Sequence, residues 1–148
     1  MTSPVRVTCA HPTDHVVAAS VTRKFARSMG FNASAASDLA ICAAELASNA
    51  VRHAGSGTLE VREVTSPSRG IEIVVRDEGP GIADPELAIV DGWSRGKLLT
   101  ADAPPSAGLG KGLGAVLRLV DDANIDTGRN GTTVTVRRYV VRPRTRGA

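Results

Sequence analysis

Apolar and polar residues alternate over Val5–Cys9, the period of a strand with one buried face. His11-Pro12-Thr13-Asp14 has the chemistry of a turn feeding a helix, and a helix is predicted from about Asp14 to Met29, stopped by Gly30. Asn32 to Ser37 supplies small capping residues for a second helix, which runs to about Ala54 with Gly55 just past its end. Along it Leu39, Cys42, Leu46 and Ala50 form one apolar stripe. Two β-rich runs follow, Thr58–Thr65 and Gly70–Asp77, joined by Ser66-Pro67-Ser68-Arg69, and in the second Ile71, Ile73 and Val75 share a face.

From Glu78 to Gly114 the periodicity lapses. The chain is rich in Gly and Pro, with a short helix predicted only around residues 85–90, and irregular chain of this length inside a compact domain is usually functional. Helical spacing returns at Leu113, Val116, Leu117 and Val120, which predicts a helix over Leu113–Asp122 opening directly out of the glycines. Two closing strands, about Ala123–Thr127 and Thr132–Val141, flank the turn Gly128-Arg129-Asn130-Gly131. No internal repeat interrupts this order.

Composition narrows the classes. A chain of 148 residues with 42% hydrophobic and 22% charged residues fits one globular domain. Aromatics at 3% leave the core to Ala, Val, Ile and Leu, and leave few platforms for stacking nucleic-acid bases. The net charge of +3 is carried by Arg137, Arg138, Arg142, Arg144 and Arg146 near the end, so the basic signal belongs to a tail. Cys9 and Cys42 make neither a disulfide framework nor a clustered metal site, and no apolar run approaches the ~20 residues of a spanning helix. A soluble protein of a reducing cytoplasm is expected.

Three segments carry candidate chemistry. Glu45 and Asn49 lie one turn apart on the flank of the second helix; a carboxylate and an amide oxygen so placed suit Mg²⁺, or Glu45 suits a general base. Alone, the pair is better read as the polar edge of an amphipathic helix. In Asp77-Glu78-Gly79-Pro80-Gly81-Ile82, Asp77 is the first polar side chain at a strand end; adenine's exocyclic amine is a fitting donor for it, while Gly79 and Gly81 permit a sharp turn and close approach. Gly108-Leu109-Gly110-Lys111-Gly112-Leu113-Gly114 sets alternating glycines before a helix, which frees backbone N–H groups and a positive dipole end for phosphates. It lacks the Gly-Lys-Ser/Thr ending of a P-loop, and no strand immediately precedes it as a dinucleotide fingerprint requires. Thr132, after Gly131, opens the last strand, where its hydroxyl can meet Asp77 across the sheet.

The order and spacing of these motifs, Glu45/Asn49, Asp77-x-Gly-x-Gly, the glycines of 108–114 and Gly131-Thr132, resemble the GHKL ATPase/kinase superfamily. Asp91-Gly92-Trp93-Ser94, the helix from Leu113 and Gly131-Thr132-Thr133-Val134 are similar to its anti-sigma-factor and stressosome switch serine/threonine kinases, over about residues 5–140. The resemblance implies an α/β (α+β) two-layer sandwich of the Bergerat type, with helices on one face of a mixed sheet. It implies ATP and Mg²⁺ as cofactors, Asn49 as the Mg²⁺ ligand, Glu45 as the general base and Asp77 as the adenine reader supported by Thr132. Gly79, Gly81, Ile82, Gly108, Leu109, Gly110, Lys111, Gly112 and Leu113 would shape the nucleotide pocket. A domain over residues 5–141 would carry a lid at about 93–107, and residues 142–148 would be a disordered basic tail. Lys97–Ala107 is extra relative to such lids, and Lys111 interrupts a usually apolar glycine run.

The implied activity is phosphorylation of a Ser or Thr on an anti-sigma-factor antagonist of the STAS fold, with a sigma factor or a phosphatase as further partners; a homodimer is left open. Histidine-kinase use is disfavoured, because His11, His15 and His53 all lie within the nucleotide domain. The alternative is a non-catalytic module in which ATP only exposes a surface for a sigma factor or phosphatase. Nucleic-acid binding through the arginine tail is the third reading and is not expected, since a solvated tail explains the same residues.

Overall fold

The computed structural model describes residues 2–80 and 109–141. Strand β1 (Val5–Cys9) leads into helices α1 (Asp14–Ser28) and α2 (Ala33–Ala54), then strands β2 (Gly57–Val64) and β3 (Gly70–Asp77). After the undescribed stretch come α3 (Leu109–Leu119), β4 (Asp122–Gly128) and β5 (Gly131–Tyr139). The helix expected around residues 85–90, the lid at 93–107 and the tail at 142–148 lie outside the described residues.

The five strands form one sheet in the order β1-β2-β3-β5-β4, and every pairing is antiparallel. Side chains of one parity, among them Leu59, Val61, Ile71, Ile73, Val75 and Val136, join Phe25, Leu39, Cys42, Leu46 and Val116 of the helices in a single core. The helical layer therefore covers one face, as a two-layer sandwich requires. Among the described residues no helix is long and apolar enough to cross a membrane.

Local chemistry explains the helix ends. The Asn32 side chain accepts the Ala35 N–H at 2.8 Å and caps α2, whose other end closes on Gly55 at φ +83°, a left-handed position that favours glycine. Ahead of α1, the Asp14 carboxylate accepts the N–H groups of Ala10 and His11, and these bonds hold its pKa below the usual carboxylate value. Helix α2 presents Ala36, Ala40, Ala43, Ala47 and Ala50 as buried residues, so its backbone sits close to the layer beneath.

Helix α3 begins earlier than the sequence pattern predicts. Gly110, Gly112 and Gly114 are helical rather than loop, and the helix ends at Leu119 instead of running to Asp122. Glycine costs about 1 kcal/mol per helical position, but burial of Leu113, Val116 and Leu117 against the core offsets it. The C-terminal limit is set by competition: Arg138 Nη1 takes the Leu119 carbonyl at 3.3 Å, and the Asp121 N–H already bonds the Arg137 carbonyl at 2.8 Å.

The sheet's other face holds a carboxylate that alternation alone did not reveal. Glu72, 1% exposed, accepts from Arg62 Nε at 2.5 Å and from Arg137 Nε at 2.5 Å, its neighbours on the flanking strands. Burial without both guanidinium groups would be costly. Cys9 and Cys42 are buried free thiols, and burial, with Asp38 nearby, pushes Cys42 up to about 12.

Two substitutions test this framework. Because Arg62 and Arg137 are 45% and 34% exposed and can rehydrate, Glu72→Ala should cost about 2 kcal/mol rather than the full cost of a broken buried pair; thermal unfolding should read this as a Tm lower by roughly 4–8 °C. At Gly131, φ is +141° and an added Cβ would overlap the Asp77 carbonyl oxygen. Gly131→Ala should therefore destabilise by more than about 2 kcal/mol in urea unfolding, and should cost more than the same change at the open Gly128.

Candidate functional site

The site forms where the end of β3, the start of β5 and the C-terminal half of α2 meet. Asp77 ends β3, opposite Thr132 of β5, which in turn stands opposite Thr127 of β4. The three side chains make one row across the sheet on its helix-covered face. Helix α2 reaches this row because glycines lie beneath it: a Cβ built at Gly57 would be 2.8 Å from Ala50 Cβ, and one at Gly79 would be 2.5 Å from Ala54 Cβ. Asn49, and Glu45 one turn before it, occupy the flank of the same helix.

Asp77 is held by backbone. Its Oδ1 accepts the Gly79 N–H at 3.0 Å, closing an Asx-type turn, and the Thr132 N–H at 3.2 Å. Oδ2 makes no hydrogen bond to a described residue. The arrangement is a carboxylate fixed in direction, with one oxygen left as an acceptor. The sequence reading gave Thr132's hydroxyl to Asp77; instead its main-chain N–H serves Asp77, and the hydroxyl lies 2.8 Å from the Thr127 hydroxyl. In an antiparallel pair the backbone donor already points across the strand, so the side chain is released for its other neighbour.

Asn49 shows a different feature. Its Oδ1 is buried with no hydrogen-bond partner among the described residues. A buried amide oxygen of this kind costs about 1–3 kcal/mol when it stays unsatisfied, so the position favours a ligand that supplies a donor or a cation. No group of three or more His, Cys, Asp or Glu that could hold a metal exists among the described residues. A hard cation here would thus rely on few protein oxygens and complete its shell with water and ligand oxygens, the habit of Mg²⁺. The donor set fits that ion.

His53, in the last turn of α2, lies in the field of the site. Burial and Arg52 lower its pKa, while the Asp77 carboxylate pulls the other way. Its spacing of four from Asn49 on one helix is the signal that could have found it. Thr127 and Glu72 gave no such signal, because only strand register brings them to their partners.

Of the remaining candidates, Leu113 is buried in the core at the α2–α3 contact. The backbone of Leu109, Gly110, Lys111 and Gly112 forms the first turn of α3. Gly81, Ile82 and Gly108 lie outside the described residues.

Comparison with known proteins bears on the family and the fold. Residues 9–138 match the family model described as the histidine kinase-like ATPase domain. The serine/threonine-protein kinase RsbT of Bacillus subtilis (strain 168) is 31% identical over 115 residues, covering 77% of this chain and 79% of that relative. A crystal structure of the RsbU and RsbW domains of a Mycobacterium tuberculosis protein superimposes with a TM-score of 0.64 at 19% identity, over 96% of this chain. This chain spans 34% of that structure's length, and at this identity the likeness speaks for the fold. With the family model covering nearly all of the described sheet and helices, the chain belongs to the histidine kinase-like ATPase domain family.

Proposed function

We propose that this protein is an ATP- and Mg²⁺-dependent serine/threonine protein kinase of the anti-sigma regulatory, partner-switching type. The observation that carries the reading is the buried Asn49 Oδ1, without a partner among the described residues and one helical turn from Glu45, on the helix that packs against the end of β3, where Asp77 Oδ2 bonds no described residue. The likeness to RsbT supports protein Ser/Thr as the acceptor. A STAS-domain antagonist is the acceptor class this reading takes, with a sigma factor or phosphatase as further partners, and the work is cytoplasmic.

Each residue has a task in this scheme. Asp77 Oδ2 accepts from the exocyclic amine of adenine, and Gly79 keeps the base's path clear where a side chain would strike Ala54. Asn49 Oδ1 would hold Mg²⁺, whose chemistry there would be to neutralise phosphate oxygens. Backbone N–H groups in the first turn of α3, with the helix dipole, meet the phosphates, and Lys111 adds charge there. Glu45 accepts the proton of the acceptor hydroxyl as that oxygen attacks the γ-phosphorus and the γ-phosphorus bond to the β–γ bridging oxygen breaks, ADP leaving with that electron pair. Gly81, Ile82 and Gly108 complete the pocket, the lid spans about residues 93–107, and the domain is residues 5–141.

Calorimetry tests the pocket. Wild type should bind ATP in the presence of Mg²⁺, and Asp77→Asn should weaken that binding by at least about tenfold, the loss of a charge-assisted hydrogen bond. Asn49→Ala should weaken it comparably with Mg²⁺ present and have little effect when the metal is chelated. Wild type that binds no ATP would sink the reading.

Transfer is tested separately with Glu45→Gln. Phosphorylation of a STAS-domain acceptor from γ-labelled ATP should fall by about 10²–10⁴-fold, the usual contribution of a general base, while ATP affinity stays near wild type. ATP binding without transfer by wild type would instead favour a non-catalytic, ATP-gated binding module.

A further inference from the structure

We propose that Arg138 is a positioning residue for the phosphates of a nucleotide: it fastens the C-terminal end of α3 to α2 and to the sheet, and thereby keeps the glycine-rich first turns of that helix formed. The inference rests on the nucleotide-binding reading above, and deepens it by naming what holds the phosphate end of the site in shape.

Arg138 stands on β5 opposite Ile71 of β3, a core residue, so its side chain leaves the sheet on the helix-covered face. It is 13% exposed there, and a cation so enclosed needs acceptors. Its Nη1 donates to Asp38 Oδ2 of α2 at 3.0 Å and to the carbonyl of Leu119, the last residue of α3, at 3.3 Å. One nitrogen thus ties two helices to a strand. Neighbouring bonds run the same way: the Asp121 N–H meets the Arg137 carbonyl at 2.8 Å, and the Asp121 carboxylate accepts the Tyr139 N–H at 2.9 Å.

Helix α3 depends on such an anchor. It has 11 residues, and Gly110, Gly112 and Gly114 all fall in its first half. A helix this short, with glycine at alternate positions, has little hold on its own form. Leu113, Val116 and Leu117 seat its middle in the core, and its end is held by Arg138. The cation on the terminal carbonyl also opposes the negative end of the helix dipole, the end remote from the phosphates.

Helix formation is cooperative, so a loss at one end is felt along the whole element. Without Arg138 the Leu119 carbonyl loses its donor, and unwinding falls first on the glycine turns. Those turns carry the N–H groups assigned above to the phosphates. Only molecules with the turns formed bind ATP in full, and the apparent affinity falls with their fraction. The Asp77 end of the site stands on paired strands and does not depend on α3.

The experiment uses the full chain as wild type, Arg138→Met, Asp38→Asn and Arg118→Met. Arg118 is an exposed basic residue in the last turn of the same helix, and serves as the control for charge alone. Hydrogen exchange without ligand reads the helix: residues 109–114 should exchange about tenfold faster in Arg138→Met, with β3 and β5 unchanged. ATP with Mg²⁺ should bind that variant about tenfold more weakly, as when one molecule in about ten keeps the turns formed, while adenosine, which carries no phosphate, keeps its wild-type affinity. Asp38→Asn, a milder change at a partner 32% exposed, should lose about threefold in ATP affinity in the same pattern. Arg118→Met should match wild type throughout. Unchanged exchange at 109–114, faster exchange spread over the sheet, equal losses for ATP and adenosine, or an Arg118→Met loss equal to that of Arg138→Met each overturns this assignment while leaving nucleotide binding intact. Wild type that binds neither ligand overturns both readings.

Discussion

The close seat of α2 on the sheet is the constraint from which the rest of the structure follows. Its buried face is mostly alanine, and beneath its C-terminal half lie Gly57 and Gly79, where any Cβ would collide with Ala50 or Ala54. Small residues on both sides let helix and strands approach until side chains on the helix flank reach the end of β3. That approach sets the C-terminal half of α2, which carries Asn49 and His53, against the end of β3. Larger residues at these contacts would lift the helix and open the site, even with every polar group retained.

Strand β3 carries two carboxylates on opposite faces, and their surroundings assign them different work. Glu72 is enclosed and has both oxygens taken by Arg62 and Arg137, so its charge is spent within the fold. Asp77 is held through Oδ1 by two main-chain N–H groups, which orient it without neutralising it. Guanidinium partners make a structural carboxylate; backbone donors on one oxygen make a carboxylate aimed at something else. The same distinction applies to Asn49 Oδ1, whose burial without a partner among the described residues is a cost that a bound donor or cation would remove.

Strong periodicity made most elements legible. The limits of β1 and β3 follow from alternation, and those of α2 from its apolar stripe, Asn32 cap and Gly55 stop. The glycines of 109–114 misled, because local propensity argues for loop while Leu113, Val116 and Leu117 make the segment helical through contacts far away in sequence. Asp77, Gly79 and Asn49 could be singled out because motif spacing survives in one dimension. Thr127 could not: its partner Thr132 is five residues on, across a turn, and only the β4–β5 register shows that the two face each other. Glu72 was hidden likewise, since a charge between apolar neighbours reads as solvent-facing until two arginines from flanking strands are found above it.

The two ends of the site differ in how firmly the fold holds them, and this bears on what a nucleotide could change. The Asp77 row sits within three paired strands, so the base end is fixed by ladder hydrogen bonds. Helix α3 is fastened away from its glycines: Arg138 binds the Leu119 carbonyl and Asp38 of α2, and Val116 packs beside Cys42, whose thiol lies 3.9 Å from the Val116 carbonyl. Its first turns contain Gly110, Gly112 and Gly114, the residues least able to sustain a helix alone. Under the proposed reading a ligand charge at that end would work on the least committed part of the helix, whereas a base would meet a rigid edge. Under the proposed function, a base would meet an edge that needs no reorganisation, while phosphates would meet the part of α3 with the weakest intrinsic hold on its helical form.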